Sequence, residues 1–576
     1  AVALHRAAYL LYTHRQRLDR SGVLIVGPNA RFLDYIARVL PSLGESGVVL
    51  RTLADLYPGV RATAPETLRG EEVKGSGEMV GILKTAVRAR QLAPDSDVVV
   101  QLEGHDLVLT PAAVRAARGR ARMSRRPHNQ ARSAFATRIV DALTEQYVSA
   151  LTDPVGAAEQ EAWAPEGDGV GDLGEPDQPL LDAQDLSALR QEVETSRSVL
   201  DVIDLWWPVL RPEQVLAELL SSRERIAEAA GDYVAEDQEA LFRDDGYAFS
   251  VSDVPLLDEL AELLGEDPSA ESTEADRAWA EQLRQAEEAL EILTGSAVQD
   301  IEDDLDPEVL MAYDVVDAEG LARRHRADSD LTVADRAGAD RTWAFGHVIV
   351  DEAQELSTMA WRVIMRRSPN RWMTLVGDVA QTSSPAGLDS WEDALSPYVD
   401  DRWVLRELTV NYRTPDTVSA VAELLLAEID PQATPPRPVR RGPRPVGWRE
   451  PGEQNLTGAV VEAISSADEE RAVAVLFPDD EVGISAGYPG LRDAVTNARP
   501  GAVVLPLSKA KGLEFDVVVV IDPERVLDRS PQGIQDLYVG ATRATQELHL
   551  VQPGGFGPML SGIRPAVAAR DEELTA

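Results

Sequence analysis

Short apolar runs typical of buried parallel strands recur along this chain of 576 residues, and helical patterns separate them. They occupy residues 23–27, 48–52, 97–102, 347–351, 373–377, 472–477, 503–507, 516–521 and 547–551. Because strands that are apolar on both faces need helices to cover them, this alternation predicts doubly wound α/β sheets. Ligands of such sheets bind at the carboxyl ends of the strands, so the residues after each run are the first candidates for a site.

The charge of the chain is unevenly distributed. The net charge is −42, and residues 151–310 contain 43 acidic residues and 8 arginines, a balance of −35. A block of this kind repels the phosphates of nucleic acid. It is either a solvated, partly disordered insertion or a surface that competes with nucleic acid for a basic partner. We place the insertion at 136–330, expect it to be mostly helical, and expect a long loop at 153–185.

Composition excludes several classes of protein. The chain has no cysteine, which excludes disulfides, iron–sulfur clusters and zinc knuckles. No apolar stretch is long enough to cross a membrane, and no signal peptide opens the sequence. We therefore expect a cytoplasmic monomer with no membrane partner.

One segment is strongly basic. Residues 115–132 contain seven arginines and no acid. They are either a solvated helix face or a contact to nucleic acid or to a partner protein. The candidates for such a contact are Arg118, Arg120, Arg122, Arg125 and Arg126. By contrast, we interpret the Trp206–Trp207 pair as helical core rather than as a platform for stacking bases.

The run HVIVDEAQELS at 347–357 carries the strongest chemical signal. An apolar strand that ends in Asp351 and Glu352 places two carboxylates at the carboxyl edge of a sheet. One can hold Mg²⁺ and the other can orient and deprotonate a water molecule. The alternative is a strand end with two solvated acids.

Four further motifs follow in order: LVGDVAQ, NYRTP, KGLEF and YVGATRA. The first brings Asp378 and Gln381 to the same edge, where a glutamine can contact a γ-phosphate or hold the water. In the second, Tyr412 offers a stacking face and Arg413 a phosphate clamp. The last two motifs supply the remaining candidates, which are Gly512, Glu514 and Arg543. Each arginine alone suits a surface ion pair, and the order of the whole set favours a site.

This set of motifs resembles that of superfamily 1 helicases and translocases of the UvrD/Rep type. The resemblance implies two RecA-like P-loop NTPase domains with ATP and Mg²⁺ between them, formed by 1–135 with 331–400 and by 401–553, before a tail at 554–576. It implies an ATP hydrolase with Asp351 on the metal and Glu352 as the base. It also implies that Gln381 senses the γ-phosphate, Tyr412 stacks on adenine, Glu514 contacts the ribose, and Arg413 and Arg543 stabilise the phosphoryl charge.

The chain departs from that family in three respects. It has no Gly-Lys pair, so the phosphate-binding Walker A loop is missing. Because residues 1–20 read as a helix without an N-cap, we expect that the natural protein starts upstream and that this chain hydrolyses ATP hardly at all. The stretch QTSSPAG after Asp378 lacks the aromatic residues that stack on DNA bases, and residues 413–505 leave no room for a large 2B subdomain.

These departures, the acidic insertion and the stretches WAFGHVIVDEAQELS, LDVIDLWWPVL and RRPHNQARSAF resemble the HelD family of RNA polymerase-associated ATPases, in its actinobacterial form. The resemblance implies that core RNA polymerase is the partner, that 136–330 enters its nucleic-acid channel, and that ATP hydrolysis helps to release DNA and RNA. Nucleic acid itself is then competed away or weakly bound. Two alternatives stay open: a DNA translocase or helicase acting in repair, and a binding protein with a vestigial motor.

Overall fold

The computed structural model describes residues 6, 9–10, 12–14, 18, 21–39, 47–162, 181–265, 336–338, 340–465, 467–468, 470–479, 487–529 and 532–575 of the chain. The chain divides into two compact units. The first consists of Ala1–Met79, Ala248–Pro255 and Leu331–Ala576, and the second of Val80–Tyr247 and Leu256–Asp330. The five ordered motifs belong to the first unit, and the basic segment belongs to the second.

The strands are numbered in chain order. They are β1 (Val23–Val26), β2 (Val48–Arg51), β3 (Val98–Leu102), β4 (His105–Leu109), β5 (His347–Val350), β6 (Met373–Leu375), β7 (Val410–Asn411), β8 (Arg437–Pro438), β9 (Gly447–Arg449), β10 (Val473–Phe477), β11 (Val503–Pro506), β12 (Phe515–Ile521) and β13 (Ala544–Val551).

The helices are numbered in the same way. They are α1 (Ala30–Val39), α2 (Leu68–Gly75), α3 (Met79–Arg88), α4 (Pro111–Met123), α5 (His128–Ala162), α6 (Ala183–Thr195), α7 (Arg197–Trp206), α8 (Pro212–Leu220), α9 (Arg223–Ala229), α10 (Ala235–Leu241), α11 (Asp253–Leu264), α12 (Thr358–Arg367), α13 (Trp391–Val399), α14 (Asp416–Ile429), α15 (Leu456–Ser465), α16 (Leu491–Ala498), α17 (Pro523–Arg529), α18 (Gly533–Thr542) and α19 (Pro558–Thr575). No helix among the described residues is both long and apolar enough to cross a membrane.

The first unit contains a four-stranded parallel sheet with the order β2-β1-β5-β6. Its centre is β1 beside β5, where Ile25 pairs with Ile349. All four residues of each of these two strands are buried, as continuous apolar runs predict. Four of the predicted strands therefore form one sheet, and its carboxyl edge carries the DEAQ and GDVAQ motifs.

A second parallel sheet in the same unit has the order β11-β10-β12-β13-β9. The run VVVV of β12 is buried on both faces, between α14 and α18 on one side and α15 and α16 on the other. Four strands of this sheet were predicted. The fifth, β9, was not, because it has three half-buried residues and follows a proline-rich loop. Mixed α/β architecture with parallel sheets is thus confirmed.

One predicted strand lies elsewhere. Residues 97–102 were expected to extend the parallel sheet, and this was wrong: β3 pairs with β4 as an antiparallel hairpin in the second unit. Its turn, Glu103–Gly104, has φ values of 44° and 85°, which suits a two-residue hairpin. Burial along β3 alternates from Val99 to Leu102, which is the pattern of a sheet covered on one face.

The other regular elements among the described residues of the second unit are helices. Trp206 and Trp207 are buried in its core, which confirms that they are packing residues. The Trp207 indole stacks on His128 and Phe135, with centroid distances of 5.1 Å and 5.4 Å, and its Nε1 donates to the His128 carbonyl at 2.9 Å. Helix α4 and the start of α5 are thereby held on this core.

Three predicted boundaries differ from the structure. We predicted that the insertion begins at residue 136. That residue lies inside the continuous helix α5, and the second unit begins at Val80. The loop expected at 153–185 is helical up to Ala162 and again from Ala183. Residues 163–180 and 266–330 of the insertion, which we expected to be mostly helical, lie outside the described residues. The expected tail is helix α19, whose Leu560, Ile563 and Val567 pack into the core of the second sheet. Their spacing places them on one helix face.

Candidate functional site

The DEAQ motif begins where β5 ends. The Asp351 amide donates to the Val26 carbonyl at 2.9 Å, which continues the β1–β5 ladder by one residue. Glu352 then adopts a left-handed conformation with φ of 54°, which is uncommon for a residue with a side chain. Gln354 Nε2 donates to Glu352 Oε2 at 2.8 Å. The two predicted acids therefore stand at the edge of the sheet, and Glu352 has a fixed direction.

Burial changes the acidity of Asp351. Burial and, to a smaller extent, the negative charge of Glu352 together raise the pKa of this carboxyl to about 6. A carboxylate that is buried beside a second one is under-compensated and favours a cation.

Asp378 and Gln381 lie at the same edge, after β6. Asp378 Oδ1 accepts from the Ala380 amide at 3.1 Å and Oδ2 accepts from Gln381 Nε2 at 2.9 Å. Burial raises the pKa of Asp378, and its hydrogen bonds to Gln381 and Ala380 oppose the rise. The glutamine is thus oriented by the aspartate that precedes it.

Gln354 joins the two motifs, and the sequence analysis missed it. Its side chain is buried, with Nε2 on Glu352 and Oε1 accepting from the Asp378 amide at 3.1 Å. A Cβ at Gly377 would lie 2.4 Å from this Oε1, so the glycine permits the approach. The only signal in the sequence was the position of Gln354 within DEAQ itself.

Arg543 connects the second sheet to this site. It follows α18, and 3% of its surface is exposed. Its Nε donates to the Val539 carbonyl at 3.1 Å and its Nη2 donates to Gln381 Oε1 at 2.7 Å. Burial lowers its pKa, although an arginine stays protonated at physiological pH. Two residues predicted from motifs 162 positions apart are therefore in direct contact.

The KGLEF motif makes a second contact between the two sheets, through its first residue, Lys511. Lys511 Nζ donates to Glu355 Oε2 at 2.9 Å, and Glu355 also accepts from the amides of Ser383 and Ser384. Neither Lys511 nor Glu355 was predicted, because their pairing across 156 positions has no local signal. Gly512 follows with φ of 74°, a conformation that favours glycine. A Cβ there would come within 4 Å of Pro28 and Asn29, which follow β1.

Arg413 and Glu514 are also brought together. Arg413 Nη2 lies 2.6 Å from Glu514 Oε1, and both side chains are nearly half exposed. The predicted phosphate clamp thus bonds to the predicted ribose contact. Tyr412 beside it is 72% exposed, so one face of its ring is open to solvent.

The candidate arginines 118–126 lie in the second unit. Arg118 and Arg122 bond to Gln91, whereas Arg120, Arg125 and Arg126 are exposed.

The site offers few ligands for a metal ion. Among the described residues there is no group of three or more His, Cys, Asp or Glu side chains that could hold one. Mg²⁺ commonly takes one or two carboxylates and completes its shell with substrate phosphates and water. Asp351 can supply such a single carboxylate ligand. The described residues do not supply a metal site built from three or more protein side chains.

Comparisons with known proteins match only part of the chain. Residues 501–551 match the model of the UvrD-like helicase C-terminal domain. The solved C-terminal domain of a possible DNA helicase from Lactobacillus plantarum is 24% identical, over 27% of this chain and 97% of that one, with a TM-score of 0.22. The PRRSV helicase is 15% identical, over 36% of this chain and 35% of that one, also with a TM-score of 0.22.

No curated protein matches the chain with significance. The chain spans about a third of the PRRSV helicase structure that it matches (35%). The matched segment 501–551 contains β11, β12 and α18, and with them Gly512, Glu514 and Arg543. This part of the chain is therefore similar to the C-terminal domain of UvrD-like helicases.

Proposed function

We propose that the protein is a helicase-like ATPase of the HelD type. It binds core RNA polymerase and helps to dissociate the polymerase from DNA and RNA, and ATP hydrolysis moves its two RecA-like domains. The observation that carries the ATPase part is the bond between Arg543 and Gln381, which joins residues from two parallel sheets at one polar edge. The match of 501–551 to UvrD-like helicases supports the same class of motor.

The chemistry follows from the carboxylates of the first sheet. Glu352, whose Oε2 is held by Gln354, would orient a water molecule and accept its proton. Gln381 would contact the γ-phosphate, and Asp378 holds its side chain for that purpose. Asp351 would hold Mg²⁺ together with phosphate oxygens and water, and the ion would neutralise the charge that develops on the phosphates.

The cations of the second sheet would exchange partners when nucleotide binds. Arg543 now bonds to a neutral amide and Arg413 to Glu514. A triphosphate gives both guanidiniums a more highly charged, bidentate partner. Tyr412 would then stack on the adenine and Glu514 would contact the ribose, close to Gly512. This rearrangement is a means of coupling hydrolysis to movement.

The choice of polymerase as the partner rests on charge. The balance of −35 over residues 151–310 suits entry into a basic channel that otherwise holds nucleic acid. The absence of an aromatic residue in QTSSPAG argues against base stacking by the first sheet.

The test is gel filtration of the natural-length protein with core RNA polymerase, with single-stranded DNA offered as a competitor. A stable polymerase complex and little DNA binding are expected. Tight DNA binding without a polymerase complex would overturn the HelD assignment and leave a UvrD-type DNA motor.

A DNA translocase or helicase acting in repair is the second candidate. The UvrD-like match and the exposed arginines of the second unit favour it. It predicts ATP hydrolysis that single-stranded DNA stimulates, whereas the first candidate predicts stimulation by polymerase. If the natural-length protein turns over no ATP under either condition, the motor is vestigial.

A further inference from the structure

Four arginines of the second unit form a cluster on its surface. Arg88 is the last residue of α3, and Arg115, Arg118 and Arg122 lie on α4. Their spacing of three and four residues places the α4 arginines on one face of the helix. The neighbouring face of α4 is buried, through Val114, Ala117 and Ala121. Only three of the four belong to the basic segment; Arg88 joins them through the fold. We call these four residues the arginine cluster.

Two arginines of the cluster, Arg118 and Arg122, are held in place by one uncharged residue, Gln91. Arg122 Nε donates to Gln91 Oε1 at 2.6 Å and Arg118 Nη1 donates to the Gln91 carbonyl at 3.1 Å. Gln91 is buried, and its Nε2 lies 3.1 Å from Nδ1 of the buried His128. Two guanidinium groups are therefore oriented without being neutralised, which reduces the entropy that they lose when an anion binds.

The fold neutralises neighbouring arginines but not these four. Arg90 pairs with Glu218, and Arg132 pairs with Asp204. In the part of the chain that the structure describes, no carboxylate forms an ion pair with any member of the cluster. Burial lowers the pKa of Arg122, and the positive charges of Arg118 and Arg88 lower it further. Retained repulsion between like charges indicates that the missing partner is an anion that does not belong to the described residues of this unit.

We propose that the arginine cluster binds the phosphodiester backbone of a nucleic acid without reading its bases. From Arg115 to Arg122 the helix rises about 10 Å, at roughly 1.5 Å per residue, and one strand of a duplex presents a phosphate about every 3.4 Å along the axis. The helix face thus matches about three phosphates of one strand. Guanidinium groups are also the side chains best suited to bidentate contact with phosphate.

An acidic protein surface fits the cluster less well. Residues 79–92 and 111–132 contain no Phe, Trp or Tyr, and the large apolar side chains exposed beside the cluster are Leu92 and Met123. The centre of a protein–protein interface is apolar, rich in aromatic residues and poor in charge. The inference does not depend on polymerase binding, because it concerns the second unit alone.

The experiment compares two double charge reversals in the full chain. R88E/R115E changes two exposed cluster residues whose side chains make no hydrogen bond or ion pair with the described residues, and R61E/R492E changes the net charge equally at two exposed arginines of the first unit. Binding is measured by fluorescence anisotropy with a labelled 20-mer as duplex DNA, single-stranded DNA or RNA, at about 50 and 200 mM salt, with poly-glutamate as a competitor. Circular dichroism melts establish that both variants fold.

R88E/R115E is expected to weaken binding at least tenfold and to reduce the slope of log K against log salt by about two, roughly 0.9 for each lost phosphate contact. R61E/R492E is expected to bind within about threefold of the unmodified chain. Preference among the three probes identifies which backbone the cluster takes. Equal losses in both variants, or displacement by poly-glutamate at matched charge as effective as by DNA, would overturn the proposal.

Discussion

The cations of the candidate site and those of the arginine cluster differ in how the fold treats them. At the site, Lys511 bonds to Glu355, Arg413 to Glu514 and Arg543 to Gln381. In the cluster, Arg118 and Arg122 are oriented by Gln91 and no described carboxylate pairs with them. Both regions carry cations that could bind phosphate, but the partners of these cations in the structure differ.

A paired cation can act as a switch, because a ligand must displace its present partner before binding. An oriented cation that pairs with no described carboxylate acts as a constant attraction, because no described carboxylate has to be released when the anion binds. The first arrangement suits a nucleotide whose binding moves parts of the protein, and the second suits a backbone that is held at any sequence.

The largest expected effect tests the paired arginine of the site. Arg543→Ala in the natural-length protein should lower ATP turnover about a thousandfold, since an arginine that stabilises the transferring phosphoryl group contributes roughly 10³–10⁵. Arg543→Lys keeps the positive charge but lacks the forked guanidinium group. Its ATP turnover should therefore lie between that of the unmodified protein and that of Arg543→Ala. Steady-state hydrolysis with melting curves for each variant is the measurement. Turnover of Arg543→Ala within threefold of the unmodified protein would remove Arg543 from the mechanism.

The next largest effect is expected when a buried, ion-paired cation is replaced, in comparison with an exposed cation of the arginine cluster. Lys74 is 4% exposed and pairs with Glu66 and, at 2.9 Å, with Asp253. Lys74→Met removes the cation that these two carboxylates share and should lower the free energy of unfolding by about 3 kcal/mol or more. Arg115→Met in the cluster should change it by less than about 0.5 kcal/mol.

Urea unfolding of both variants measures this difference. The triple variant that combines Lys74→Met with Glu66→Gln and Asp253→Asn should recover part of the loss, because it also removes the two negative charges that Lys74 balances. If Arg115→Met destabilises the chain as much as Lys74→Met does, the cluster is part of the fold rather than a surface that waits for a ligand.

The smallest effect concerns Asp536, a carboxyl of α18 that lies 3.6 Å from Arg529. Burial raises its pKa from 3.8 to about 6, although Lys511 and Arg529 oppose the rise. A raised pKa means that the ionised form is disfavoured in the folded chain, so this group lowers stability progressively as pH rises through 4 to 6.

Asp536→Asn removes that dependence. The stability of the variant relative to the unmodified chain should therefore increase by about 1.4 kcal/mol between pH 5 and pH 8, which follows from 1.36 kcal/mol per pKa unit. Urea melts of both proteins at several pH values give the difference directly. A difference that stays constant with pH would mean that the cations near Asp536 compensate its burial fully.

Local patterns predicted much of the fold and the positions of the site residues. The runs HVIVD and DVVVVI became buried central strands because continuous apolar runs need cover on both faces. The prediction that DVVVQL joins the parallel sheet was wrong. Its hairpin depends on the Glu103–Gly104 turn and on a partner strand, which an apolar run does not reveal. The prediction of a C-terminal tail was wrong for a similar reason. The sequence around Leu560 and Val567 does not show that these residues pack against a sheet formed by distant segments.

The sequence by itself determined which chemistry is available: carboxylates after β5, a glutamine after β6 and arginines in ordered motifs. The tertiary structure decided which of these groups meet, because contacts such as Gln381 with Arg543 and Glu355 with Lys511 join segments more than 150 residues apart. It also decided which arginines near Gln91 keep an unneutralised charge. Residue types are local properties of a chain, whereas partners depend on how the sheets and helices pack.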